Sequence, residues 1–190
     1  MSSETFFAIF PGIFINPGRT WEVIRDLDLK PVRFFLFFGL PFVFLGALGR
    51  ALTDQSNDLY VSAPFGALLF VHLLTHLLVL LVGPWMVARM AGTYGLDPGF
   101  NHSMRLAVTA YIPFLLSQIV TAIAAALSFI PMAGLIFSLF LYWHGAPLVL
   151  GIPVNRLTGF TLLSFFIFLG LGFIGLYLLR MITFAPVSLH

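Results

Sequence analysis

The longest uncharged stretch of the sequence constrains the fold more than any other feature. Residues 106–155 contain no aspartate, glutamate, lysine or arginine. A helix crosses the hydrocarbon core of a bilayer with about 20 apolar residues, so this stretch is too long for one crossing and suits two. Pro131 lies near its middle, and a proline cannot continue a helix and restricts the residue before it. The stretch therefore predicts two transmembrane helices joined by a short turn.

The composition extends this prediction to the rest of the chain. Hydrophobic residues make up 60% of the sequence and charged residues only 8%, whereas a soluble domain has about 25% charged residues. So few charges cannot keep a surface in water, so lipid must surround much of the protein. The chain has no cysteine, which excludes disulfides and thiol chemistry. Its basic residues are scattered, and we expect no nucleic-acid partner.

We predict an all-α integral membrane protein whose transmembrane domain covers residues 34–190. The five predicted spans are residues 34–50, 60–88, 106–129, 132–150 and 157–180. With the N-terminus inside, most basic residues would flank the spans on the inner side, leaving only Arg50 and Arg180 outside. The positive-inside rule then predicts an inner N-terminus and an outer C-terminus. We expect the location to be the bacterial inner membrane.

The first 33 residues are predicted to form a cytoplasmic or interfacial segment and not a span. Trp21 and Ile24 recur at helical spacing, with Thr20 as an N-cap candidate and Pro31 as a stop. This pattern predicts a short amphipathic helix that lies in the membrane interface, with Trp21 as its anchor. The alternative is a plain juxtamembrane linker.

Histidines are the ionisable residues predicted to lie at membrane depth. His72 and His76 are four residues apart and share one face of a helix; His144 lies in the fourth predicted span. Such side chains can form hydrogen bonds between helices, bind a metal together, or respond to pH or contact a substrate. Leu73 stands where a zinc protease would have a glutamate. We expect interhelical hydrogen bonding and predict no bound metal or cofactor.

No arrangement of residues points to an enzyme. All seven acidic residues lie outside the predicted spans, and the sequence has no nucleophile-elbow motif. GLGFIG, residues 170–175, matches the dinucleotide-binding spacing but lacks the strand and the acidic residue which that motif needs. We predict that its glycines, like Gly46 and Gly49, allow close packing of helices.

Two segments of the C-terminal half contain recurring family motifs. They are TAYIPFLLSQIV, residues 109–120, and the stretch from FIPMAG at 129 to TGF at 160. The motif residues are Tyr111, Pro113, Pro131, Tyr142, Gly145, Pro147, Asn155 and Arg156. In these motifs the chain resembles the short bacterial branch of the Yip domain family, five-span membrane proteins named for interaction with Ypt and Rab GTPases. The chain lacks the long N-terminal region and the Asp-Leu-x-Gly-Pro-Leu type motif of eukaryotic members, which weighs against Rab-type GTPase binding.

Prolines and small residues in the third and fourth spans suggest a polar pocket open to the cytoplasm. Proline in a helix frees a backbone carbonyl one turn earlier. The predicted pocket residues are Tyr111, Pro113, Gln118, Tyr142, His144, Gly145, Pro147 and Arg156. Kinks that bind no ligand are the alternative.

These observations lead to two hypotheses about function. The first is a non-enzymatic scaffold, partner-binding or membrane-organising protein. Its partners would be the lipid bilayer and either further copies of the chain or other membrane proteins. The second is a small transporter or channel with a polar path near His72, His76 and His144.

Overall fold

A computed structural model describes residues 3–56, 63–124 and 127–184 of the chain. In this part of the chain all regular structure is helical, and five helices are long and apolar enough to cross a membrane. We number them as the first span (Pro31–Gln55), second span (Phe65–Thr93), third span (Gly99–Ile123), fourth span (Ile130–Leu150) and fifth span (Val154–Phe184). The prediction of an all-α, five-span membrane protein is confirmed.

Successive spans run in opposite directions, so their connections alternate between two ends of the bundle. We call the end that holds the connections 94–98 and 151–153 the basal end. The opposite end, where the first and third spans end and the second and fourth spans begin, is the distal end. Gly151 has a φ of 72°, a left-handed conformation that glycine adopts without strain, and it ends the fourth span at the basal turn.

Several predicted boundaries differ from the structure, those of the third and first spans among them. The third span begins at Gly99 and ends at Ile123, so it lies nearer the N-terminus than residues 106–129. The first span continues one turn beyond residue 50 to Gln55. The prediction that Asp54 lies outside the spans is therefore wrong, because this residue belongs to the last turn of a membrane-spanning helix.

Glycines set the closest approach between spans. A Cβ atom at Gly49 would lie 2.6 Å from the backbone C and O of Gln118, so the first and third spans touch backbone to backbone. Gly175 of the GLGFIG motif packs closely against Leu78 of the second span. Gly170 of the same motif has open space around it. The predicted packing role is thus confirmed at Gly49 and Gly175.

Two shorter helices precede the first span: α1 (Ser3–Ile15) and α2 (Pro17–Arg25). The side chain of Asn16 caps α2 by accepting a hydrogen bond from the Arg19 backbone N–H at 3.2 Å. Pro17 occupies the first turn, where proline is favoured. The prediction of Thr20 as the N-cap is therefore wrong; its hydroxyl donates to the Asn16 carbonyl, one turn earlier.

Both of these helices pack against the span bundle. In α1, the Phe10 ring stacks on Phe42 of the first span and the Phe14 ring on Phe137 of the fourth, with centroids 5.2 and 5.8 Å apart. Phe42 and Phe137 lie well inside their spans, so α1 reaches membrane depth. Trp21 of α2 is 1% exposed and lies against Gly145. The amphipathic helix thus turns its apolar face to protein, whereas the sequence pattern predicted the headgroup region.

Candidate functional site

A buried carboxylate lies at the distal end of the first span. Asp54 is 2% exposed, and its Oδ2 accepts a hydrogen bond from His72 Nε2 at 2.8 Å. Arg180 Nη2 donates to the same oxygen, and Arg50 Nη2 lies 3.2 Å from Oδ1. We call these four residues the Asp54 cluster. It joins the first, second and fifth spans through a charge that needs such partners at membrane depth.

The sequence reasoning missed this cluster because it counted every acidic residue as a loop residue. One signal was available. Arg50 and Arg180 close the predicted first and fifth spans at the same end of the bundle, and Asp54 follows Arg50 by one helical turn. The predicted topology alone therefore brings both arginines to the level of the carboxylate.

A cavity of about 370 Å³ begins beside the Asp54 cluster and extends into the bundle. Its volume is in the range of about 300–1,000 Å³ that is usual for small-molecule sites. The second, third, fourth and fifth spans supply most of its walls, in which leucine and phenylalanine are the commonest residues, and the first span contributes Arg50. The polar side chains among its lining residues are Arg50, His72, Thr75, His76, Tyr111, Gln118, Ser138 and Tyr142.

The cavity lies between the fourth and fifth spans in the distal half of the molecule. Pro131 and Leu135 line it near the distal end of the fourth span, and Leu176 does so near the distal end of the fifth. Tyr142 and Phe165 line its deeper part. The two spans are joined at the basal turn 151–153 and enclose the cavity farther along.

Three buried polar atoms on the cavity wall have no hydrogen-bond partner in the described part of the chain: His76 Nε2, Gln118 Oε1 and the Tyr142 hydroxyl. His76 is 6% exposed; its Nδ1 faces the Tyr111 hydroxyl at 3.4 Å, while Nε2 is unpaired. Gln118 is 5% exposed, and its Oε1 is unpaired. A buried polar atom left unpaired is costly, so such atoms commonly mark a place where something binds.

Other polar groups of the wall already have partners. The Thr75 hydroxyl donates to the Val71 carbonyl at 2.8 Å, within its own helix. Ser138 Oγ accepts a hydrogen bond from the Phe114 backbone N–H at 3.2 Å, directly after Pro113. Ser138 therefore joins the third and fourth spans at the proline kink. The hydrogen-bonding capacity that remains is concentrated at His76, Gln118 and Tyr142.

The structure divides the predicted pocket residues between two places. Tyr111, Gln118 and Tyr142 line the cavity, which lies in the distal half. His144, Gly145, Pro147 and Arg156 lie outside the cavity lining, in the basal part of the bundle. Pro113 is next to the wall residue Phe114 without lining the cavity itself.

Three of these basal residues have other neighbours. His144 is exposed, and its Nδ1 lies 2.9 Å from the carbonyl of Phe140 in its own helix. Gly145 leaves room for the Trp21 ring. Arg156 Nη1 donates to the Tyr94 carbonyl at 3.0 Å and so ties two basal connections together. A pocket open at the basal end is not formed by these residues.

The histidines do not meet as a three-ligand group. His72 is bonded to Asp54 and His76 faces Tyr111, as expected for hydrogen bonding between helices. His144 lies outside the cavity that His72 and His76 line. Within residues 3–56, 63–124 and 127–184, no cluster of three histidine, cysteine, aspartate or glutamate side chains is placed to hold a metal ion.

A second buried cation lies in the basal half. Arg105 of the third span is 3% exposed, and its guanidinium donates to the carbonyls of Ile24 and Arg25 at 3.2 Å and of Leu29 at 2.7 Å. These carbonyls end α2 and begin the segment that leads to the first span. Arg105 thus fastens the N-terminal helices to the bundle, although sequence reasoning counted it only as a flanking charge.

Comparison with known proteins gives one match. Residues 12–177 match the family model of the Yip1 domain. The matched range contains α2, the first four spans, every cavity-lining residue and three residues of the Asp54 cluster, and it ends before Arg180. Comparisons with the curated proteins and with the solved structures gave no match.

Proposed function

The chain belongs to the Yip1 domain family, and from this premise we propose that it is a non-enzymatic, membrane-organising protein. It would act on the lipid bilayer through the packed pair α1 and α2. We place it in the bacterial inner membrane with its basal end toward the cytoplasm, because most of its basic residues lie at that end.

The observation that supports this function is the unequal cross-section of the molecule. At the basal end, α2 packs on the third and fourth spans, and α1 extends along the first and fourth spans as far as Phe42 and Phe137. In the distal half, the fourth and fifth spans are separated by a cavity. At the C-terminal end of α1, the apolar side chains of Phe14 and Ile15 are exposed and so extend this added volume toward lipid. Extra helical volume at the level of one leaflet displaces lipid there and favours curvature.

The experiment compares the size of vesicles reconstituted with wild-type protein and with the Trp21→Glu variant. Trp21 is buried against Gly145, so a carboxylate there would be placed in an apolar contact without water and should displace α2 from the bundle. We expect wild-type protein to shift vesicles to smaller diameters and Trp21→Glu to lose most of that shift. Electron cryomicroscopy of the vesicles gives the diameters.

Val23→Glu is the matched control, because it introduces the same charge on the exposed face of the same helix. This variant should behave as wild type does. Two outcomes would contradict the proposal that the protein generates curvature. One is that wild-type protein leaves vesicle diameters unchanged; the other is that wild type and Trp21→Glu both insert and give equal diameters.

Association with protein partners belongs to the same proposal. The fifth span is the least covered helix: only 11% of its most apolar window is buried within the bundle. Phe166 and Phe173 on this span are exposed. This surface can serve self-association or contact with other membrane proteins. Crosslinking in native membranes from a photoreactive residue at position 166 would identify the neighbouring chains.

Transport of a small solute is the second candidate, and the cavity supports it. His72 and His76 both line the cavity, while His144 lies outside. Flux into proteoliposomes should therefore disappear in His72→Ala and persist in His144→Ala. Absence of flux for a panel of ions and small solutes would leave the membrane-organising proposal as the remaining one.

A further inference from the structure

We propose that the distal cavity binds a single-chain amphiphile whose uncharged polar group contains a hydroxyl, of the kind found in a monoacylglycerol. The site is assigned from the shape of the cavity, the apolar character of its walls and the unpaired polar atoms on them. The hydrocarbon chain would occupy the apolar part, and the hydroxyl would lie between the second and third spans.

The walls fit a hydrocarbon chain. Leu135 and Leu139 of the fourth span face the cavity together with Phe165, Phe168 and Leu169 of the fifth. Flexible chains are held by such surfaces through dispersion contacts and exclusion from water. The walls extend from the distal end to the middle of the bundle, which is also the direction in which a lipid chain lies in a leaflet.

The unpaired atoms are complementary to a hydroxyl group. If the Tyr111 hydroxyl donates to His76 Nδ1, the proton of the neutral imidazole lies on Nε2, which then is a donor. Gln118 Oε1 is an acceptor, and the Tyr142 hydroxyl can donate or accept. A ligand hydroxyl can accept a hydrogen bond from His76 or donate one to Gln118, whereas a hydroxyl without its hydrogen can do only the first.

The charges near the cavity favour an uncharged group at that position. Arg50 is the only arginine or lysine among the lining residues, and it is ion-paired with Asp54 at the cavity mouth. Arg50 follows Gly49, which packs on Gln118, so this arginine is the lining cation near the unpaired atoms. Its charge is already paired with Asp54, so a charged headgroup beside His76 or Gln118 would be buried without a counter-ion of its own, which is strongly unfavourable.

The experiment uses a diazirine-bearing monoacylglycerol on the purified full chain in mild detergent. We expect saturable photolabelling that maps to cavity-lining peptides of the fourth and fifth spans. Unlabelled monoacylglycerol should compete. A dimethyl ether of the same lipid, which has no hydroxyl hydrogen, should need about a tenfold higher concentration, as expected from the loss of one or two hydrogen bonds.

Two variants test the hydrogen bonds directly. His76→Phe and Gln118→Leu should each weaken competition about three- to tenfold. Gln118→Leu removes a buried oxygen that has no hydrogen-bond partner, so the melting temperature of the ligand-free protein should stay the same or rise. His76→Phe also removes the contact with the Tyr111 hydroxyl and should lower the melting temperature slightly. His144→Phe makes the same replacement outside the cavity and should leave labelling unchanged.

Leu139→Trp gives an independent route, because it fills the cavity without removing a hydrogen-bonding atom. We expect it to abolish labelling of the cavity peptides. Equal competition by the dimethyl ether would overturn the proposal, and so would unchanged labelling in His76→Phe and Gln118→Leu. Stronger competition by a lysophosphatidate would also overturn it, since binding would then depend on Arg50 and an anionic headgroup.

Discussion

At the scale of single residues, Asp54 has the most demanding environment described in the chain. A carboxylate in a low-dielectric interior is stable only with charged or strongly donating partners. Here His72, Arg50 and Arg180 provide them from three directions. Arg50 and Arg180 also keep part of their side chains exposed, so both can reach the interface while they neutralise the acid.

Replacing Asp54 by asparagine should destabilise the protein. The amide keeps the shape of the side chain but leaves two arginines without their shared anion. Breaking a fully buried ion pair costs about 3–5 kcal/mol, and partial exposure of both arginines should reduce the loss to roughly 2 kcal/mol. Thermal unfolding in detergent, followed by tryptophan fluorescence, measures the difference.

Asp26→Asn is the matched control for this substitution. Asp26 forms a two-point ion pair with Arg25, at 2.7 and 3.0 Å, but both side chains are exposed. Exposed pairs contribute little to stability, so the melting temperature should hardly change. If Asp54→Asn and Asp26→Asn lowered the melting temperature equally, the buried ion pairs of Asp54 would contribute no more to stability than an exposed pair does.

Residue-level predictions from the sequence failed where a partner lies far along the chain. His72 and His76 were correctly expected to form hydrogen bonds between helices, because an imidazole at membrane depth needs a partner. Asp54 and Arg105 were assigned to loops or flanks, because hydropathy scores a charged residue as if it were alone. Their partners, Arg180 and the carbonyls after α2, are known only once the bundle is assembled.

At the scale of helices, close contact between the first and third spans depends on Gly49. Because its nearest neighbours are backbone atoms of Gln118 and Ile119, no change of side-chain rotamer can make room for a methyl group. The two helices must move apart to accept one. This contact lies at the same level as Arg50 and so also supports the mouth of the cavity.

Gly49→Ala should therefore lower the free energy of unfolding by roughly 1–3 kcal/mol, the usual effect of overpacking. Gly66→Ala, in the second span, is the comparison: its added Cβ has nothing within 4 Å. That variant should be neutral or slightly more stable, since alanine favours helix over glycine. Titration with SDS gives both free energies. If Gly49→Ala were as stable as Gly66→Ala, the backbone contact at Gly49 would not limit how closely the first and third spans pack.

Helix existence was easier to predict than helix placement. The spacing of Trp21 and Ile24 correctly indicated an amphipathic helix, because an apolar face repeats every turn. The same pattern suits a helix on a lipid surface and a helix on a protein surface, and it could not distinguish them. In the structure, Gly145 leaves room for the Trp21 ring and Arg105 donates to a carbonyl of α2, so the helix packs on protein. Both residues are far from α2 in sequence.

At the scale of the whole molecule, the two ends differ in chemistry. The Arg105 contacts with α2 and the segment after it lie toward the basal end, whereas the Asp54 cluster lies at the distal end and the cavity extends from there to the middle of the bundle. The five crossings follow from hydropathy alone, since lipid imposes one length and one polarity on every span. The cavity depends on how the fourth and fifth spans diverge, which no local pattern of the sequence encodes.

Membrane orientation can be tested with two cysteines, because the native chain contains none. Asp97 lies in a basal connection and Ser56 at the distal end, and both are exposed. With the basal end inside, a membrane-impermeant maleimide should label Ser56→Cys in intact spheroplasts and label Asp97→Cys only after lysis. The reverse pattern would invert the proposed orientation.

The contact between Asp54 and Arg180 joins residues 126 positions apart. Synthesis runs from the N-terminus, so the acid enters the bilayer long before the arginine has been translated. During that interval the first span of the nascent chain contains a carboxylate that lacks one of its final partners. Insertion of the fifth span brings Arg180 to the carboxylate and completes its neutralisation. A chain whose synthesis stops before the fifth span keeps an incompletely paired carboxylate in the membrane, which distinguishes it from the finished protein.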